Sequence, residues 1–327
     1  MNPLALIVAL AIGMPIPDET IRASIAKGIK PLEKAATNYP KNRSCFSCHH
    51  QALPMMALAA AKERGFAIDD KVLEQQAKFT LATFTPKLKD IGEGTGIGGA
   101  STTAAYALVG LQAVKQPRSE TTDALVEFLL KKQTKDGIWT PTTNRPPSEG
   151  STFTTAALAL QALKHFARGA DEEQTKRLKE VREKALARLQ ATDAKTNEDR
   201  VFLIWGLVVG GAGEVAITKA KDGLLKMQRP DGGWAQLDDM KSDAYATGSA
   251  MVAVRMAGVS PKDQAYRRGV RYLVRNQDST GTWLLTTRSR PIQTYFDNGD
   301  PGGKSQFITI PATGWAVLAL VECVERK

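Results

Sequence analysis

Gln228-Arg229-Pro230-Asp231-Gly232-Gly233-Trp234 has two counterparts along the chain, Gln133-Thr134-Lys135-Asp136-Gly137-Ile138-Trp139 and Gln277-Asp278-Ser279-Thr280-Gly281-Thr282-Trp283. Each runs glutamine, three residues, glycine, one residue, tryptophan. The spacing has a structural reading. Glutamine ends a helix and bonds exposed backbone groups of a neighbour, glycine permits a left-handed turn, and tryptophan packs onto the glutamine. Three copies at matching places mark a repeat.

In each copy an amphipathic helix precedes the junction and an almost wholly apolar helix follows it. The same pair recurs along the chain: 19–38 with 51–61, 70–84 with 102–114, 122–133 with 154–165, 171–190 with 201–209, 215–228 with 244–256, and 262–277 with 312–324. Pro31 is expected to kink the first helix and Tyr39-Pro40 to end it. A period of about 50 residues suits a helical hairpin that cannot bury its apolar face alone. Helices apolar on every side must be enclosed on every side, and neither terminal pair carries a polar cap. The sequence therefore predicts an all-α chain, a single α/α toroid of six inner and six outer helices spanning 17–327.

The three junctions resemble the repeat of the squalene and oxidosqualene cyclases, whose rings of inner and outer helices are shared with the protein prenyltransferases. The resemblance covers residues 50–327, although the pairs near Gln190 and at the N-terminus lack the glycine and tryptophan. It implies an apolar, isoprenoid-like small molecule as ligand and cyclase or isomerase chemistry. A family cyclase has two ring domains and an Asp-x-Asp-Asp protonation motif; this chain has room for one ring and lacks the motif. Asp243 stands where the resembling cyclases place their acid. It is equally an ordinary helix cap before an Ala-rich helix, where the helix dipole favours its ionised form.

Cys45-Phe46-Ser47-Cys48-His49, followed by His50, carries the second signal. The chain has three cysteines and three histidines, and two of each lie between Cys45 and His50. In a Cys-x-x-Cys-His stretch each thiol can add to one haem vinyl group, and the adjacent imidazole can ligate the iron. The expectation is a covalent haem c on Cys45 and Cys48, with His49 as proximal ligand. Met240, in a rim loop, is the candidate for the distal position; Met55 and Met56 share the helix of His49 and cannot reach round. Zinc is the alternative metal, but a closed site needs four ligands and the remaining candidates are Cys323 and His165, both in apolar helical stretches. A redox dithiol is the third reading. His50 is a spare ligand or a hydrogen-bonding neighbour of one, and His165, beside Phe166, reads as structural.

Residues 1–16 contain an apolar run, Leu4 to Met14, of the length of a signal-peptide core, without the usual leading Lys or Arg. The reading is a periplasmic or otherwise exported protein, with a buried N-terminal arm as the alternative. The net charge of +10 is spread over amphipathic helices. It fits docking on a redox partner protein or a membrane surface, and nothing in its pattern points to nucleic acid. The loop 284–310, with Tyr295 and Phe296, is long enough for a lid over a cofactor or cavity. Tyr106, Trp205, Tyr245 and Trp315 fall on inner helices, as core or as cavity wall. The sequence thus points to an exported haem c toroid in electron transfer or redox chemistry on an apolar ligand. A haem-free cyclase-like isomerase and a non-enzymatic lipid- or protein-binding scaffold are the rivals.

Overall fold

The computed structural model describes residues 16–167, 171–291 and 294–325, so the leader reading of 1–16 lies outside the described residues except for Ile16. Among the described residues, twelve long α-helices alternate between two rings. The outer helices are α1 (Asp18–Asn42), α3 (Asp70–Phe84), α5 (Glu120–Lys132), α7 (Glu172–Ala191), α9 (Glu214–Lys226) and α11 (Gln264–Arg275). The inner helices are α2 (Leu53–Glu63), α4 (Ala100–Ala113), α6 (Thr152–Phe166), α8 (Asn197–Gly210), α10 (Ala244–Met256) and α12 (Gln306–Val321). Each inner helix packs on the next, and α12 packs on α2, so the inner ring closes. No helix among the described residues is long and apolar enough to cross a membrane.

The repeated junction ties three of the six steps of the outer ring. Gln133 Nε2 donates to the Val181 carbonyl of the next outer helix at 2.8 Å and back to its own Gly137 carbonyl at 3.1 Å. Gln228 does the same with Ala265 and Gly232, at 2.8 and 2.9 Å. Gln277 reaches Ser24 and Gly281, both at 2.9 Å, and accepts from the Ser24 hydroxyl at 2.7 Å. Ser24 lies in α1, so this third staple joins the last outer helix to the first. The tryptophans serve their own helices: Trp139, Trp234 and Trp283 donate Nε1–H to the carbonyls of Leu129, Leu224 and Leu273 at 2.7–2.9 Å. Gly281, at φ +86, lies against the Lys27 carbonyl with no room for a Cβ. A side chain there would be strained by its own backbone and by its neighbour.

Two boundaries differ from the sequence expectation. Helix α1 runs through both prolines to Asn42. Pro40 cannot donate to the Ala36 carbonyl, but Gln76 Nε2 does so instead, at 2.9 Å, and the helix continues. Helix α12 begins at Gln306 and carries Pro311 inside it. Complete burial of Ile310 and Trp315 and near-complete burial of Ile308 hold the first turns on the core, which outweighs one lost backbone bond. At the ring's centre Phe202 stacks on Trp205 at 5.6 Å, while Trp205 and Tyr245 meet Trp315 edge-on at 5.9 and 6.3 Å. These inner-helix aromatics are core.

Gln277→Ala removes three hydrogen bonds of the closing staple and leaves the Ser24 hydroxyl without its partner. The variant is expected to lose roughly 1–3 kcal/mol of unfolding free energy, measured by urea denaturation. Gly281→Ala should cost more than the same change at Gly213, which has open space around its Cβ position.

Candidate functional site

The Cys/His stretch forms a turn of π-helix, Cys48–Ala52, leading into α2. Pro54 has no N–H for the His50 carbonyl, which leaves that step of the α-helical ladder open. Wider bonds replace it, from Ala52 N to Ser47 O and from Leu53 N to Cys48 O. Ser47 locks the entry: its hydroxyl accepts from His50 N at 3.0 Å and its N–H donates to Gln51 Oε1 at 2.8 Å. The wide turn brings the His49 and His50 rings together, nearly perpendicular, with centroids 4.6 Å apart. Tyr39 and Phe307 pack against both rings.

A relay follows from these contacts. His50 Nε2 lies 2.9 Å from Asp300 Oδ2, and both side chains are fully buried. Asp300 Oδ2 also accepts from Asn298 Nδ2 at 2.7 Å. A carboxylate only accepts, so His50 Nε2 carries the proton. Burial lowers the pKa of His50 in spite of the opposing pull of Asp300, which keeps the ring neutral and its Nδ1 an acceptor. His50 Nδ1 meets His49 Nδ1, which must then donate. His49 is also held well below its ordinary value, first by burial and then by His50 and Arg145. The chain of donors leaves His49 Nε2 as a bare lone pair, and among the described residues Nε2 makes no hydrogen bond.

His49 and Cys48 form part of the wall of a cavity of about 360 Å³, within the ~300–1,000 Å³ common for small-molecule and cofactor sites. The hairpin 145–149 supplies one side and residues 287–291 with Thr294 and Tyr295 another, while Lys304, just before α12, and Phe307 and Ile308, in its first turn, complete it. Arg145, Arg290 and Lys304 give this wall three cations. Glu149 anchors the hairpin: it accepts from the Thr143 hydroxyl at 2.7 Å, from Arg145 Nε at 2.9 Å and from the Cys48 thiol at 3.0 Å. Burial and the Glu149 charge push the Cys48 thiol up, so it is a protonated donor.

The structure brings together only part of the expected set. Cys48, His49 and the aromatic Tyr295 meet at one cavity. Cys45 is exposed in the bend before the π-turn, with its sulfur 3.8 Å from the Tyr39 hydroxyl, and is not part of the cavity wall. Met240 closes a turn with Leu237 and is likewise outside that wall. Among the described residues, no group of three or more His, Cys, Asp and Glu side chains is placed to hold a metal ion. His165 packs its ring on Phe166, 4.7 Å away.

Asp243 caps α10, accepting from Ala246 N at 2.9 Å. Burial pushes its pKa up to about 6, so desolvation outweighs the helix dipole that the sequence reading relied on. The acid that sequence reasoning missed is Glu198. It is buried at the start of α8, where its Oε1 accepts from Thr154 at 3.0 Å and Tyr245 at 3.4 Å while Oε2 has no partner. Burial raises its pKa to about 8. No local pattern distinguishes Glu198 from neighbouring Asp199, which caps its own helix. Arg145, Glu149 and Asp300 were equally silent, since each acquires its role through residues about 100 or more positions away or through a loop conformation.

No family model and no curated protein matches the chain. Solved structures do. The type II terpene cyclase MstE from Scytonema, in its apo form, is similar over 93% of this chain and 99% of that one, at 15% identity and a TM-score of 0.61. A variant of MstE in complex with its substrate, geranylgeranyl dihydroxybenzoate, matches over 94% and 98%, at 16% identity and a TM-score of 0.59. A protein from Klebsiella pneumoniae, described as a possible member of the GH105 family, matches over 94% of both chains at 14% identity, with a TM-score of 0.57. At these identities the likeness carries the fold: this chain is an all-helical α/α toroid.

Glu198 also makes a testable statement about pH. Its folded pKa of about 8 lies above the ordinary 4.5, so the folded state holds a proton that the unfolded state releases between those values. The stability tied to that proton is full below pH 4.5 and is lost as pH rises toward 8. Glu198→Gln keeps an acceptor for Thr154 and Tyr245 but has no proton to lose. The unfolding free energy of the variant minus that of the parent should rise by about 1.4 kcal/mol per pH unit between pH 5 and 8. A flat difference across that range would contradict a neutral Glu198.

Proposed function

We propose that this toroid is an exported, haem c-carrying redox protein, working in electron transfer or on an apolar, isoprenoid-like ligand. One observation carries the reading. In a Cys-x-x-Cys-His stretch, the histidine has its Nδ1 committed to a neighbour and its Nε2 lone pair free beside a cavity of about 360 Å³. That is the tautomer an iron ligand requires. The apolar walls of the cavity suit a porphyrin face, and Arg145, Arg290 and Lys304 suit its acid groups.

Haem, when bound, would supply one-electron chemistry. The residues would supply the rest. His49 would ligate from the π-turn, Cys48 would anchor at the cavity wall, and Cys45 would anchor from the bend three residues earlier. Each attachment adds S–H across a vinyl double bond, sulfur to one carbon and hydrogen to the other. Cys48 is a buried, protonated thiol in the folded chain, so attachment would precede closure of the site. Tyr295 and Phe307 would cover the ring and limit water, which raises the weight of nearby charges on its potential. Met240 lies outside the wall and has no part in this proposal. Electrons would pass to or from a redox partner protein.

A haem-free, cyclase-like isomerase is the second reading, and the fold likeness to MstE supports it more directly than it supports haem. Its own observation is Glu198, a neutral buried acid beside Tyr245 and the Trp205–Trp315 aromatic cluster. Such an acid could protonate an alkene that opened space among these core aromatics, whose faces could then steady the cation that forms. Asp243, nearer its ionised form, is the weaker acid of the two.

Expression with a secretion leader in cells that mature c-type cytochromes decides between them. The first reading expects haem that survives a denaturing gel, sharp bands in the reduced spectrum, loss of attachment in Cys45→Ala/Cys48→Ala, and loss of the native spectrum in His49→Ala. Colourless parent protein would overturn it. The second expects colourless protein that cyclises a linear geranylgeranyl compound and loses that turnover in Glu198→Gln.

A further inference from the structure

We propose that Asp300 and His50 are positioning residues that set the tautomer and the donor strength of His49, an inference that rests on the haem reading for its consequence but not for its geometry. Neither residue lines the cavity. Their effect would travel along one line of ring nitrogens, from Asp300 Oδ2 through His50 Nε2 and Nδ1 to His49 Nδ1.

Three features mark this line as built rather than incidental. His50 is completely buried, a place where an imidazole is costly unless both its nitrogens are matched. Its two matches are a carboxylate at one nitrogen and another imidazole at the other, while its backbone N–H is held separately by Ser47. Asp300 is itself held in place, because Asn298 donates to the same oxygen at 2.7 Å and is fixed in turn by the Ala35 carbonyl, 3.2 Å away in α1. The carboxylate arrives from the loop before α12, some 250 residues from the histidines in sequence. Two distant segments thus meet to control a single ring.

A histidine whose Nδ1–H is pulled toward an acceptor has a more electron-rich Nε2. At an iron this favours the oxidised metal and lowers the reduction potential. Ser47, whose hydroxyl is 3.4 Å from His49 Nδ1, is the one other hydrogen-bonding group at that nitrogen among the described residues, and it is neutral. Without Asp300, His50 would be free to reverse its tautomer, and His49 could then place its proton on Nε2, where it would block a ligand.

Two measurements test the inference. In haem-loaded protein, Asp300→Asn and His50→Gln should each raise the midpoint potential, and the double variant should shift no further than the larger single one, because both break one line. Additive shifts, or none, would overturn the proposal. In haem-free Cys45→Ala/Cys48→Ala protein, nitrogen-15 NMR should show His49 protonated at Nδ1 alone, and adding Asp300→Asn should give a mixture of tautomers. An unchanged His49 signal there would overturn it as well. Parent protein that takes up no haem would end the haem reading, while the NMR result would still decide the relay.

Discussion

The hydrogen bonds of three glutamine side chains to the backbone of the next outer helix govern this molecule. A glutamine amide can serve two carbonyls at once, and Gln133, Gln228 and Gln277 each use it to fix their own junction and a neighbouring helix together. The acceptors Val181, Ala265 and Ser24 each lie three residues before the carbonyl that the junction glycine packs against, at Lys184, Arg268 and Lys27. One contact geometry thus repeats around the ring. The inner helices, mostly apolar, add a few polar contacts of their own, such as Thr102 with Thr155 at 2.8 Å and Thr154 with Glu198 at 3.0 Å.

The rim at the start of the inner helices inherits its order from that frame. The π-turn, the hairpin 145–149 and the loop before α12 have little regular structure, yet each is pinned by buried charge: Glu149 holds Arg145 and Cys48, and Asp300 holds His50. Buried ionic groups are costly when unpaired, so these pairs act as registration points for segments that hydrophobic burial alone would leave loosely placed. The staples lie in the outer ring, and the cavity beside Cys48 and His49 lies at the rim of the inner one.

All twelve long helices were legible in the sequence, since alternating amphipathic and wholly apolar stretches leave few other ways to bury the apolar ones. The boundaries that were misread sit at Pro40 and Pro311, where a distant side chain or a buried face makes up for a missing N–H. Cys48 and His49 stood out in the sequence because they are neighbours in a Cys-x-x-Cys-His stretch, and the fold places both in one cavity wall. Asp300, Glu149, Arg145 and Glu198 did not, because single charged residues in loops and at helix starts are common and only folding reveals which become buried. Asp243 was read through the helix dipole, and the burial that outweighs it is a property of the whole ring.

The staple between Gln277 and Ser24 spans 253 positions of the chain. A nascent chain made from its N-terminus cannot form that contact until Gln277 has emerged, and α2 waits longer still for its neighbour α12. Late, non-local closure of this kind slows folding and prolongs the exposure of sticky apolar helices to other chains. The same order leaves the Cys48–Ala52 turn, which packs on α12, without that neighbour until the end. The topology thereby keeps Cys48 and His50, which the closed ring buries, in contact with water until late in folding.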